Sequence, residues 1–162
     1  MILPSRELMP VIRAALERGQ RVRMTVTGSS MLPFLRDCDV VELEPASAPR
    51  LGDMVLVQVA RPGAAERYVL HRIVRVEAGA AFFIRGDAQR HGEGPFTSDA
   101  VLGRVTIAWR NGHARALDRG AWRFAGCVWI VCAPSGLLLL RLVALSREYG
   151  RAAGRPHRWP GD

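Results

Sequence analysis

The order of apolar and polar positions divides the chain into one helix, a series of short strands and an apolar C-terminal stretch. Leu8, Ile12, Ala15 and Leu16 recur at helical spacing, which predicts a helix over Ser5–Arg18 with Gly19 to end it. From Arg21 to Thr27 charged and apolar residues alternate, the period of a half-buried strand. Further strands are predicted over 39–44, 54–59, 68–76, 81–85 and 101–109. Asn111-Gly112 turns the last of these into a hairpin that returns through His113–Leu117. Pro62 and Gly63 mark a hairpin loop over 61–66, and the polar, glycine-containing stretch 88–98 reads as irregular. Many short strands at this spacing predict a mainly β fold, a β-barrel or strongly curled sheet, with no internal repeat.

The pattern changes at Gly120. Phe124–Leu140 is seventeen uncharged residues between Arg123 and Arg141, close to membrane-spanning length. Pro134-Ser135-Gly136 interrupts it and reads as a turn, after which Leu137–Leu145 reads as a short helix. Two uses stay open for 124–145: a helix docked on the domain, or a segment in peripheral contact with a membrane. Arg151–Asp162, rich in Arg, Gly and Pro, reads as a frayed tail. The expected organisation is a domain over 1–118 that includes the N-terminal helix, an apolar helical segment over 119–150 and a tail over 151–162.

With 162 residues, 49% of them hydrophobic, the chain can bury a core without disulfide or metal staples. Cys38, Cys127 and Cys132 are an odd number with no CxxC pair, so reduced thiols are expected. His71, His91, His113 and His157 have no partner at ligand spacing, and neither a metal nor another cofactor is expected. The net charge is +8, but the basic residues are scattered, and no nucleic-acid partner is expected. All 23 are arginine, a fact that bears on mechanism. Met1–Pro10 carries Arg6 and Glu7 and offers no signal-peptide core, so the reading expects a cytoplasmic protein, free or membrane-associated.

The candidate chemistry lies in Gly28-Ser29-Ser30-Met31-Leu32-Pro33. A serine hydroxyl attacks a carbonyl only with a base to take its proton and donors to hold the oxyanion. With no lysine in the chain, a Ser–Lys pair is excluded. His71, in YVLHRIVRV, shares a strand face with Val69 and Ile73, a place that suits a core histidine as readily as a base. His91 and His113 sit in loop-like settings, and His157 is in the tail.

These residues support a resemblance. Gly28-Ser29-Ser30-Met31-Leu32-Pro33 resembles the G-x-S-M-x-P box of the signal peptidase I and LexA-like serine peptidases, whose nucleophile is the serine before methionine, here Ser30. Gly52-Asp53-Met54-Val55, His71-Arg72-Ile73-Val74, Gly86-Asp87 and Leu102-Gly103-Arg104-Val105 resemble further boxes of that family, in order, across Gly28 to Val105. Histidine in the base position is similar to the endoplasmic-reticulum and archaeal branch. The resemblance implies a curled, barrel-like catalytic fold and a serine endopeptidase with Ser30 as nucleophile and His71 as base. It implies an aspartate as third member, Asp99 in preference to the more structural Asp87. The expected oxyanion donor is the Ser30 N–H, with the Ser29 hydroxyl as a candidate second donor, and Gly28 is expected to serve the turn through its backbone. The substrate expected is a specific peptide or leader sequence, bound as an extended strand. The alternative is a catalytically silent peptide-binding module of the same fold. LexA-like repressors use lysine and add a DNA-binding helical domain, and this sequence resembles neither feature.

Overall fold

The computed structural model describes residues 5–132 except 47, 61, 62, 64, 65 and 78–80. The expected turn at 134–136, helix at 137–145 and tail at 151–162 lie outside the described residues, as does most of the 61–66 loop. The elements are α1 (Ser5–Glu17), β1 (Val22–Thr25), β2 (Val40–Glu44), β3 (Met54–Val59), β4 (Arg67–Val76), β5 (Phe82–Arg85), β6 (Glu93–Phe96), β7 (Val101–Arg110) and β8 (His113–Ala116). A 3-10 turn, Ser98–Ala100, precedes β7, and a second helix, α2, covers 120–132.

The strands form one antiparallel sheet in the order β1-β2-β7-β3-β4-β5-β6, with β8 also on β7. The fold is mainly β, as the strand pattern predicts, but the sheet is not closed into the expected barrel: β1 and β6 end the strand order and do not pair. Curling comes from register shifts at Glu42/Leu43, Leu56/Val57, Ile73/Arg75 and Phe82/Ile84. Each extra residue bends its strand and steepens the local twist. The sheet therefore wraps two cores without meeting its own edge.

Alternation along β3 shows how the cores divide. Met54 and Leu56 face one, with Met9, Ile12 and Leu16 of α1 and with Leu43, Val105 and Ala108. Val55, Val57 and Val59 face the other, with Ile73, Phe82 and Ile84. β3 is thus buried on both faces, which is why it reads as an almost unbroken apolar run. Met9, Ile12 and Leu16 lie on one helical stripe, and burial of that stripe holds α1 on the sheet.

The stretch expected to be irregular, 88–98, contains β6, which pairs Phe96 with Phe82 and Glu93 with Ile84. Its sequence, EGPF, carries two strand breakers. An edge strand tolerates proline, because the missing N–H need not serve a second neighbour.

Candidate active site

The turn that carries Ser30 is built from both ends. Val26 N–H donates to Asp39 O at 2.7 Å and Cys38 N–H to Val26 O at 2.9 Å, closing the loop that holds 27–37. Gly28 has φ +88, with open space where a side chain would stand, so its requirement is conformational alone. Its N–H donates to Asp37 Oδ1 at 2.9 Å. Met31, Phe34 and Leu35 are buried in the first core and anchor the far side of the turn. Ser29 is exposed, and its carbonyl accepts from Leu32 N–H at 3.2 Å. Ser30 is half-buried. Its carbonyl accepts from Ala88 N–H at 2.8 Å, whereas its own N–H donates to no described residue.

His71 stands opposite. It lies in β4, registered with Val55 of β3, and is only 5% exposed. Ser30 and His71 line the same cleft, of about 150 Å³. Val26–Gly28, Ser30 and Met31 form one wall and Tyr68–His71 the other. His71 Nδ1 is buried and has no hydrogen-bond partner. Burial pushes the His71 pKa below its ordinary 6.5; the Glu93 carboxylate opposes that shift and Arg67 adds to it. The ring is therefore neutral at neutral pH and free to accept a proton.

β3 covers one edge of β4 from Arg67 to Arg72, but β5 pairs with β4 only from Arg72 onward. Among the described residues no strand pairs with the other edge of β4 over 67–71. That open edge adjoins the cleft.

The two candidate aspartates are placed elsewhere. Asp99 is exposed in the 3-10 turn, its carboxylate accepting from Thr97 Oγ1 at 3.0 Å, and it does not line the cleft. Asp87 is buried against Arg72, which donates from Nε to Oδ1 and from Nη2 to Oδ2, each at 2.7 Å. Burial pushes the Asp87 carboxyl up, and the Arg72 donors and charge pull it back. The charges that reach His71 are those of Glu93 and Arg67, which are ion-paired with each other and act on the ring in opposite directions. Glu93 lies in the 88–98 stretch that the sequence predicts to be irregular, and it does not line the cleft.

The other boxes assemble around this centre as framework. Asp53 Oδ2 accepts from Arg50 N–H at 2.9 Å, while Arg123 Nη1 donates to its Oδ1 at 2.6 Å. Arg104 of β7 bridges Glu44 at 2.6 Å and Asp53 at 3.6 Å. Among the described residues no group of three or more His, Cys, Asp or Glu side chains is arranged to hold a metal, and the three cysteines are free. Comparison with protein-family models, curated proteins and solved structures finds no match for the chain.

Proposed function

We propose that the protein is a serine endopeptidase of the signal-peptidase-like type, working through a Ser30–His71 dyad. The observation that carries this reading is that Ser30 and the buried His71, whose pKa burial lowers, line one cleft. His71 takes the Ser30 Oγ proton as Oγ attacks the scissile carbonyl. The Ser30 N–H, which serves no other described acceptor, steadies the oxyanion. His71 then gives the proton to the leaving amine, and water hydrolyses the acyl-enzyme by the same path in reverse. Nδ1 is buried without a partner, so this reading assigns the proton exchange to Nε2. The open edge of β4 over 67–71 supports an extended substrate, which would add as a strand and bring its carbonyl to Ser30. Asp99 as third member has no support from its position. The support for the family reading is the order of the boxes along the chain, not the closure of the sheet, which stays open where the resemblance implies a barrel-like fold.

The unpartnered Nδ1 favours a second reading, a peptide-binding module of the same fold that does not turn over. Digestion of a peptide mixture, with cleaved bonds read by mass spectrometry, separates the two. Cleavage by the natural protein that is lost in Ser30→Ala and His71→Ala supports the dyad. Cleavage that survives in both variants removes it. Peptides retained equally by the natural protein and Ser30→Ala, with no product, would establish the module.

The outer face of α2 supports a peripheral contact with an anionic lipid surface. Phe124 and Val131 are 72% and 79% exposed there. The sequence continues beyond α2 into the apolar 137–140 run, and the net charge of +8 complements anionic headgroups. No described helix is long and apolar enough to cross a membrane.

A further inference from the structure

We infer that α2 is a clamp that fixes Ser30 relative to His71, acting through the peptide group between Asp87 and Ala88, with Trp129 and Gly126 as its positioning residues. The catalytic consequence rests on the peptidase reading; the geometric link does not.

The link is a single relay. Trp129 Nε1–H donates to the Asp87 carbonyl at 2.9 Å. The N–H on the other side of that same peptide group, Ala88 N–H, donates to the Ser30 carbonyl at 2.8 Å. A donor on the oxygen of an amide polarises its N–H, so the two bonds reinforce each other. The indole of α2 is therefore one peptide group away from the backbone of the nucleophile. Gly86 permits this approach: a Cβ there would lie 2.7 Å from the Ser30 carbonyl oxygen.

The other arm of the clamp reaches the base. Arg72 follows His71 directly and is 1% exposed, held in the bidentate pair with Asp87. Its Nη1 also donates to Gly52 O at 2.9 Å, and its guanidinium lies 4.6 Å above the Phe34 ring. Gly126 of α2 closes over that guanidinium, and a Cβ at Gly126 would collide with Nη1 and stand 3.0 Å from Cζ. Trp129 meets Phe34 edge to face at 6.0 Å. Arg123, Gly126 and Trp129 recur every three residues along one side of α2, so one helix face touches Asp53, Arg72 and Asp87 together. Arg85 Nη2, donating to Ile130 O at 3.3 Å, ties the next residue to β5. Among the contacts of α2, those with Arg72 and Asp87 fall on the residues that adjoin His71 and the Ser30 turn.

Trp129→Phe and Gly126→Ala test the clamp. Trp129→Phe keeps the ring against Phe34 but removes the relay's first donor; Gly126→Ala wedges Arg72. Two readouts apply: inactivation of Ser30 by a fluorophosphonate, resolved into its binding and covalent steps, and NMR of the Ala88 amide and the His71 ring. The expected result is a covalent step about tenfold slower in either variant, roughly what the loss of one hydrogen bond supplies. Probe binding stays unchanged, and both resonances shift. A natural protein that labels at Ser30, with variants that label equally fast and resonances that do not move, overturns the clamp. Shifted resonances with an unchanged covalent step overturn its catalytic role. If the natural protein does not label but the resonances still shift, the clamp stands and the peptidase reading is weakened. Unmoved resonances in that case reject the clamp as well. Should Gly126→Ala fail to fold, Trp129→Phe alone decides.

Discussion

His71 is the base of the proposed dyad, and burial is the largest influence on its charge state. Because its pKa lies below 6.5, the folded protein binds fewer protons there than the unfolded chain does between the two values. Stability must therefore fall as pH drops below about 6.5, and the loss levels off once the folded ring itself is protonated. Thermal unfolding followed from pH 7.5 to 5 should show this decline in the natural protein and a shallower one in His71→Phe; equal slopes would contradict it. On the proposed reading, activity follows the same group, with the limb displaced to lower pH. The acid limb of kcat/KM for a cleaved peptide should sit below the ordinary histidine pKa, because the neutral base survives to lower pH. Removal of that base should cost on the order of a hundred- to ten-thousandfold. Asp99→Asn provides the contrast. Its carboxylate meets Thr97 at the surface rather than the cleft, so kcat/KM should remain near that of the natural protein, and a large loss would restore the triad.

At the scale of elements, the Arg72–Asp87 pair is where strand β4, the turn after β5 and α2 converge. Both side chains are at most 2% exposed. Asp87→Ala would leave a buried guanidinium without its counter-charge, a change that typically costs about 3–5 kcal/mol. Urea unfolding should show a loss of that size, and one below about 1 kcal/mol would mean that Arg72 finds water or another acceptor. The elements also show what a sequence discloses. β3 and β4 were legible because their length and valine content mark a strand even where burial on both faces removes alternation. β6 was not, since Gly94-Pro95 hides an edge strand whose pairing is decided by Phe82 and Phe96 across the sheet. The difference between a barrel and an open sheet was equally hidden, because it depends on register shifts, which leave no periodic trace. Ser30 and His71, far apart along the chain, were legible together only through the order of the boxes. Gly126 and Trp129 sit inside an apolar run, where nothing in the spacing distinguishes a positioning residue from a core one.

At the scale of the whole molecule, α2 has two faces with different obligations. Its inner face is committed to Asp53, Arg72 and Asp87, so the exposed Phe124, Val128 and Val131 point away from the domain with nothing described to cover them. They recur at intervals of four and three, one stripe along the helix. Inserting such a stripe into the headgroup boundary removes apolar area from water, and a surplus of arginines adds attraction that salt screens. Sedimentation with vesicles should therefore show binding to phosphatidylglycerol-containing membranes that exceeds binding to phosphatidylcholine and weakens as salt is raised. Full burial of a large apolar side chain is worth about 1.5–3 kcal/mol. Replacing both Phe124 and Val131 by serine should then lower the partition coefficient at least about tenfold, since each decade is about 1.4 kcal/mol. The double variant should keep its fold, because both side chains already face solvent. Equal sedimentation of the natural protein and the variant, or no preference for anionic lipid, would assign the stripe to a protein partner instead. Because the same helix carries Gly126 and Trp129 on its inner side, vesicle binding that also moves the Ala88 amide resonance would mean that lipid acts on the catalytic turn through α2.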